Sequence, residues 1–303
     1  MKRIVLSCAL ALLLSPVLRC SGSDDDSIDP PLPPDVAINK YAGRLDFLLI
    51  SLRSDTGKDL LFVVDTGSPI TLLSKSLEPT LGNRLGTAEC WSFTSKQESG
   101  IYPAPKLFLA GTQLLTGTNV YTYNFTQLNC RSHHDINGIL GMDCLRHYCI
   151  QLDFESRKLK FLTPGQVNDA ASGQSFDLTF SSQDQSGTNM IRPYIRHVGL
   201  LGGTNLNCLI DTGYNTDGRV AAGQINGHFL TRATHFVLPF MELRLPECVW
   251  EGHTYTHLIV GKSKEANILG LRFLARHLVT LDFPNRKMYL ECRTIGPLTA
   301  RRN

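Results

Sequence analysis

Apolar residues along this chain fall into short runs and alternations that Gly, Pro, Asn and Asp keep cutting, as in "KLFLAG" (106–111) and "THLIVG" (256–261). Runs of this length bounded by turn formers predict β-strands. Helical spacing is scarce; it is best at 142–148 and 271–277. Two longer stretches each hold two apolar runs around a polar turn: "RLDFLLISLRSDTGKDLLFVVDTGS" (44–68) and "PYIRHVGLLGGTNLNCLIDTGYN" (193–215). Each reads as a β-hairpin.

The pattern repeats. "NGILGMDCLRHYCIQLDFESRKLKFL" (137–162) and "ANILGLRFLARHLVTLDFPNRKMYLE" (266–291) share Ile-Leu-Gly, then Leu-Asp-Phe, then Arg-Lys and an alternating strand. Gly141 precedes Asp153 by twelve residues, and Gly270 precedes Asp282 by twelve. A match in both residue type and spacing marks an internal duplication. The expected fold is all-β, with two duplicated, barrel-like lobes and a cleft between them. The expected divisions are a first lobe at 39–165 and a second at 166–295, with a tail at 296–303. The polar segment "TPGQVNDAASGQS" (163–175) begins the crossing.

The duplication sorts two copies of Asp-Thr-Gly that lie ten residues apart. Asp55 occupies the polar turn, where the second half has Gly202-Gly203, and is a turn residue. Asp65 ends the apolar run Leu60–Val64, and Asp211 follows Cys208-Leu209-Ile210 in the same way. A carboxylate placed directly after a buried strand is costly unless hydrogen-bonded. Two such carboxylates in equivalent places would meet near a pseudo-twofold axis. Close together they cannot both ionise readily, so they share a proton, and one can act as base while the other acts as acid.

Before the repeats, Lys2 and Arg3 lead an apolar stretch, Ile4 to Leu14, too short to span a membrane comfortably. It reads as an export signal over 1–22. The segment 23–38, rich in Ser, Asp and Pro, reads as a disordered linker. Cys20 sits where a bacterial lipoprotein would carry its lipid, although Arg19 replaces the small residue usual before it. Lipidation at Cys20 and plain cleavage nearby, as after Gly22, both stand. Either puts the protein outside the cytoplasm, in the envelope or secreted. No propeptide of normal size is expected after the signal.

The chain has 303 residues and a formal net charge of +3. That excess is small and scattered, so nucleic acid is not an expected partner. Seven cysteines follow Cys20, and in an oxidising compartment some would pair. No CxxC pair supports a metal, and none is expected. His133-His134-Asp135 reads as solvent-exposed loop; Asp153 and Asp282 read as turn residues. No Gly-x-Ser-x-Gly segment or phosphate-cradling loop is present.

The segments 62–68, 138–141, 209–213 and 268–270 together resemble those of pepsin/retropepsin-type aspartic proteases, and the resemblance covers nearly everything after the linker. It implies a catalytic dyad of Asp65 and Asp211, with no cofactor. It implies that Thr66 and Thr212 hydrogen-bond across to the opposite loop. Gly67 and Gly213 would leave room for those loops, and Gly141 and Gly270 would let the Ile-Leu-Gly segments thread beside them. Ser68 would donate to the outer oxygen of Asp65. The hairpin 90–111 would be a flap over the substrate, placing Phe93 where most pepsins have tyrosine; Phe93 and Trp91 read equally as packed strand residues. Tyr214 departs from the pattern, since pepsins usually place Ser or Thr there; it is expected to line the cleft, either offering Asp211 a substitute donor together with Asn215 and Thr216 or blocking part of the cleft. Two functions follow: an endopeptidase acting on extended polypeptides as a monomer, with or without a lipid anchor, or a non-catalytic envelope protein that holds extended peptides in the cleft.

Overall fold

The computed structural model describes residues 31–293, apart from 93–94, 171, 182–190, 201–204, 222–223, 225–235, 238–241 and 264–265. The expected signal, Cys20, the tail 296–303, the first part of the linker, Gly202-Gly203 and Phe93 lie outside the described residues.

Three sheets carry the fold. One has nine strands, all from the first half between Leu49 and Leu140; one has eight, all from the second half between Thr179 and Gly270. No closed barrel is formed among the described residues. Both predicted hairpins are present. Leu49–Ser54 pairs antiparallel with Asp59–Val64, turning through Gly57 at φ 81°. Arg192–Val198 pairs antiparallel with Leu206–Asp211, with an irregularity between Ile195 and Val198.

The strand before each Asp-Thr-Gly lies inside its sheet. Asp59–Val64 runs parallel to Ile136–Leu140, and Leu206–Asp211 runs parallel to Asn267–Gly270. Parallel neighbours covered on both faces demand unbroken apolar runs, and Phe62, Val63 and Val64 are fully buried. The chain beyond each aspartate folds back against the other side of the Ile-Leu-Gly strand: Leu72–Ser74 in the first half, Gly218–Ala221 in the second. Each Ile-Leu-Gly strand ends in a single helical turn, Met142–Leu145 and Leu271–Leu274, shorter than the spacing predicts.

The third sheet joins the halves. Its six strands run Val36–Ala37, Lys158–Leu162, Cys149–Asp153, His277–Asp282, Lys287–Cys292, Gln174–Asp177. At its centre Gln151 pairs with Thr280, and their side chains share a buried hydrogen bond of 3.0 Å. Each lies ten residues beyond its half's Gly141 or Gly270, so the pseudo-twofold axis passes between them. Val36–Ala37 closes one edge, which takes the end of the expected linker into the fold. The crossing segment also contains a helix, Pro164–Ala170, whose Val167 packs with Cys149 and Leu162.

The expected disulfides are not seen among the described residues: Cys90, Cys130, Cys144, Cys149, Cys208 and Cys292 are free thiols. Cys90, Cys144, Cys149 and Cys208 are buried, whereas Cys130 and Cys292 are exposed. Cys144 and Cys208 pack inside the apolar core as small hydrophobes. Burial pushes the Cys149 and Cys208 thiols up to about 12, far from reactive thiolates.

Candidate active site

The two Asp-Thr-Gly turns meet at the interface between the halves. Thr66 and Thr212 are fully buried and interlock reciprocally. The Thr66 amide donates to Thr212 Oγ1 at 3.0 Å, and the Thr212 amide to Thr66 Oγ1 at 3.1 Å. Each hydroxyl then donates to the carbonyl before the opposite aspartate: Thr66 to Ile210 at 2.6 Å, Thr212 to Val64 at 2.7 Å. Four hydrogen bonds thus fix one turn against the other.

The glycines admit the approach. A Cβ on Gly67 would lie 2.4 Å from the carboxyl carbon of Asp211, and one on Gly213 would lie 2.3 Å from that of Asp65. Gly141 and Gly270 are as tight: a Cβ there would meet the carbonyl oxygen of Ile70 or of Thr216 at 2.3 Å. The threading is also hydrogen-bonded. Met142 donates its amide to the Ser68 carbonyl at 2.8 Å, and Leu271 to the Tyr214 carbonyl at 2.7 Å.

The Asp65 and Asp211 carboxyls lie close enough for each to act on the other's pKa. Asp65 Oδ1 accepts the amides of Gly67 at 2.8 Å and Ser68 at 3.0 Å. Asp211 Oδ1 accepts the Gly213 amide at 2.9 Å. Desolvation raises the pKa of Asp65, opposed by the Gly67 and Ser68 amides, the Asp211 side chain and the positive charge of Arg192. Desolvation raises Asp211 much further, and the charge of Asp65 adds to it. The surroundings thus favour the ionised form more at Asp65 than at Asp211, and the two titrate as a pair.

Two expected contacts differ. The Ser68 hydroxyl donates to the Ile70 carbonyl at 2.7 Å rather than to Asp65; the Ser68 amide serves the carboxylate instead. Tyr214 sends its side chain toward Arg219, which stacks on the ring at 4.9 Å and donates Nε to the phenol oxygen at 3.2 Å. Gly261, directly across from Arg219 in the sheet, leaves space for that hydroxyl.

The flap residues are placed in part. Gly86–Ser92 and Ser95–Pro103 form a continuous antiparallel hairpin in which Trp91 pairs with Lys96. Of the other acids, Asp153 Oδ1 accepts the amides of Glu155 and Ser156, and Asp282 Oδ1 that of Asn285, which makes both turn residues. His134 is not plain exposed loop: its Nε2 pairs with Asp46 at 3.0 Å.

A second layer beneath the turns escaped the sequence reading. Six residues beyond Asp65, the Thr71 hydroxyl donates to Asp143 Oδ1 at 2.7 Å. Six residues beyond Asp211, the fully buried Asp217 pairs with Arg272 and, at 3.2 Å, with Arg276. Asp143 and Arg272 each lie two residues past their half's Gly141 or Gly270.

Taken together, the sheets and the paired turns have the two-lobed all-β fold of pepsin-like aspartic proteinases. Among solved structures, the aspartic proteinase from Irpex lacteus is similar at a TM-score of 0.59 and 13% sequence identity, over 89% of this chain and 100% of that one. No protein-family model matches the chain, and no curated protein does.

Proposed function

We propose that this protein is an aspartic-type endopeptidase acting on polypeptides in extended conformation. One observation carries the reading: two carboxyl groups from equivalent turns are brought against the opposite turns' glycines, inside a cage of reciprocal Thr66–Thr212 contacts. The asymmetry around them assigns the roles. Asp65 is the base, because two amides and Arg192 favour its charge. Asp211, driven toward the protonated form, is the acid.

A water between the carboxyls loses a proton to Asp65 as its oxygen bonds to the peptide carbonyl carbon. The Asp211 proton passes to the carbonyl oxygen, giving a neutral gem-diol. Asp65 then protonates the amide nitrogen while Asp211 takes back a proton from one hydroxyl. The C–N bond breaks, leaving a carboxylic acid and an amine. No covalent enzyme intermediate and no cofactor enter this cycle.

A second reading, a non-catalytic protein holding extended peptides, draws on one feature: the Ser68 and Tyr214 side chains turn to Ile70 and Arg219, away from the carboxyls. Cleavage of a denatured protein at mildly acid to neutral pH separates the two. Pepstatin-sensitive cleavage lost in Asp65→Ala and Asp211→Asn supports the peptidase; an inactive wild-type protein that still binds the peptides supports the other. Export, with or without a lipid on Cys20, belongs to the same proposal. The mass of the mature N-terminus tests it.

A further inference from the structure

The two halves use the same scaffold beneath their catalytic turns but fill it with different chemistry. In the second half the linkage is ionic. Asp217 Oδ2 accepts the Ile259 amide at 2.7 Å and pairs with Arg272, while its Oδ1 accepts from Arg276 at 3.2 Å. Its carbonyl accepts the Gly270 amide at 3.0 Å. Turn, Ile-Leu-Gly strand and following helical turn are thereby joined through one residue.

In the first half the acid has changed sides. The turn supplies Thr71, fully buried, and the helical turn supplies Asp143. The Thr71 hydroxyl accepts the Gly141 amide at 3.3 Å and donates to Asp143 Oδ1 at 2.7 Å. The same three elements are joined, now by a hydroxyl and a carboxylate. Desolvation raises the pKa of Asp143, and hydrogen bonds from Thr71 and the Cys144 and Gly117 backbone oppose it.

We infer that Asp143 is a positioning residue for Asp65: through the Thr71 hydroxyl it fixes the turn 65–71 against Gly141, as the Asp217–Arg272 pair fixes the turn 211–217 in the second half. The path is short. Thr71 anchors the end of the turn. Ile70, immediately before it, accepts the Ser68 hydroxyl and lies against Gly141. Ser68 in turn presents its amide to Asp65 Oδ1. Releasing Thr71 therefore loosens the donor that holds the charged carboxylate. The role in catalysis rests on the peptidase reading, whereas the fixing of the turn does not.

The test is amide hydrogen exchange on the resting protein, read alongside kinetics. In Asp143→Ala, the Gly141, Met142 and Ser68 amides should exchange roughly tenfold faster, the worth of one charge-assisted hydrogen bond. Gly270 and Leu271, their counterparts, should be unchanged. Asp143→Asn, which keeps an oxygen to accept from Thr71, should restore most of the protection. If Asp143→Ala does not fold, Thr71→Val should give the same local pattern. In peptide cleavage, kcat should fall in Asp143→Ala with KM little altered, and Asp143→Asn should recover it. Unchanged exchange, equal loosening in both halves, or no recovery in Asp143→Asn would each overturn the inference. A wild-type protein without peptidase activity would remove the peptidase reading while the exchange pattern still decides the turn.

Discussion

Replacing Thr212 with valine keeps the shape of the side chain and removes its hydroxyl. Two hydrogen bonds go: the one Thr212 donates to the Val64 carbonyl at 2.7 Å and the one it accepts from the Thr66 amide at 3.0 Å. Both partners lie where water does not reach; Thr66 and Val64 are fully buried. Each orphaned group costs about 1–3 kcal/mol, together about 2–6 kcal/mol. The added methyl returns about 1 kcal/mol through apolar burial. The expected net loss is about 1–5 kcal/mol. At about 2–4 °C per kcal/mol for a chain of this size, a loss near the middle lowers the melting temperature by about 6–12 °C. Urea unfolding and differential scanning calorimetry measure it. Thr212→Ser keeps the hydroxyl and is the control, losing only a methyl's worth. Thr66→Val removes a separate pair of bonds and should cost a similar amount. If Thr212→Val loses less than about 1 kcal/mol, or no more than the serine control, the interlock does not hold the turns together.

Three further outcomes follow. Gly213→Ala puts a carbon 2.3 Å from the Asp65 carboxyl carbon; the displaced dyad should lose about a hundredfold in kcat/KM or more, measured on a protein shown to be folded. Arg192→Gln removes a charge that lowers the Asp65 pKa, so the acid limb of the kcat/KM–pH profile should move to higher pH, and Arg192→Lys should move it less. Burial, together with the charge of Asp65, holds the folded pKa of Asp211 well above the usual carboxylate range. The folded state thus binds a proton that the unfolded chain releases, and that stabilisation is present below the unfolded pKa and lost as pH rises through the folded one. Asp211→Asn should therefore gain in stability relative to wild type between pH 4 and pH 7, as urea unfolding at both pH values would show.

The two Asp-Thr-Gly turns are legible because burial and polar chemistry leave the same trace twice. A strand covered on both faces needs an unbroken apolar run, so Asp65 and Asp211 stood out where those runs end. The Ile-Leu-Gly repeats were visible for the same reason. The layer beneath was not, because the duplication conserves the position and exchanges the residues: Thr71 faces Asp143 where Asp217 faces Arg272. Comparing the halves by residue type passes over such a pair; comparing by offset from each aspartate and glycine would find it. The helix Pro164–Ala170 did leave a local signature. Thr163 and Gln166 bond reciprocally around a proline at the first helical position, but the polar composition of 163–175 marks it only as the start of the crossing. Ser68 could not have been placed from sequence, since its hydroxyl chooses between two acceptors only a turn apart.

The shared six-stranded sheet limits how the two halves can move. Backbone hydrogen bonds run without interruption from Cys149–Asp153 of one half to His277–Asp282 of the other, so the halves cannot drift apart as independent bodies without tearing a ladder. Any gaping has to be a flexing about the line through Gln151 and Thr280, like covers turning on a spine. The rim then travels farthest and the ground nearest the spine least. The two Asp-Thr-Gly turns, pinned by the threonines, keep their spacing.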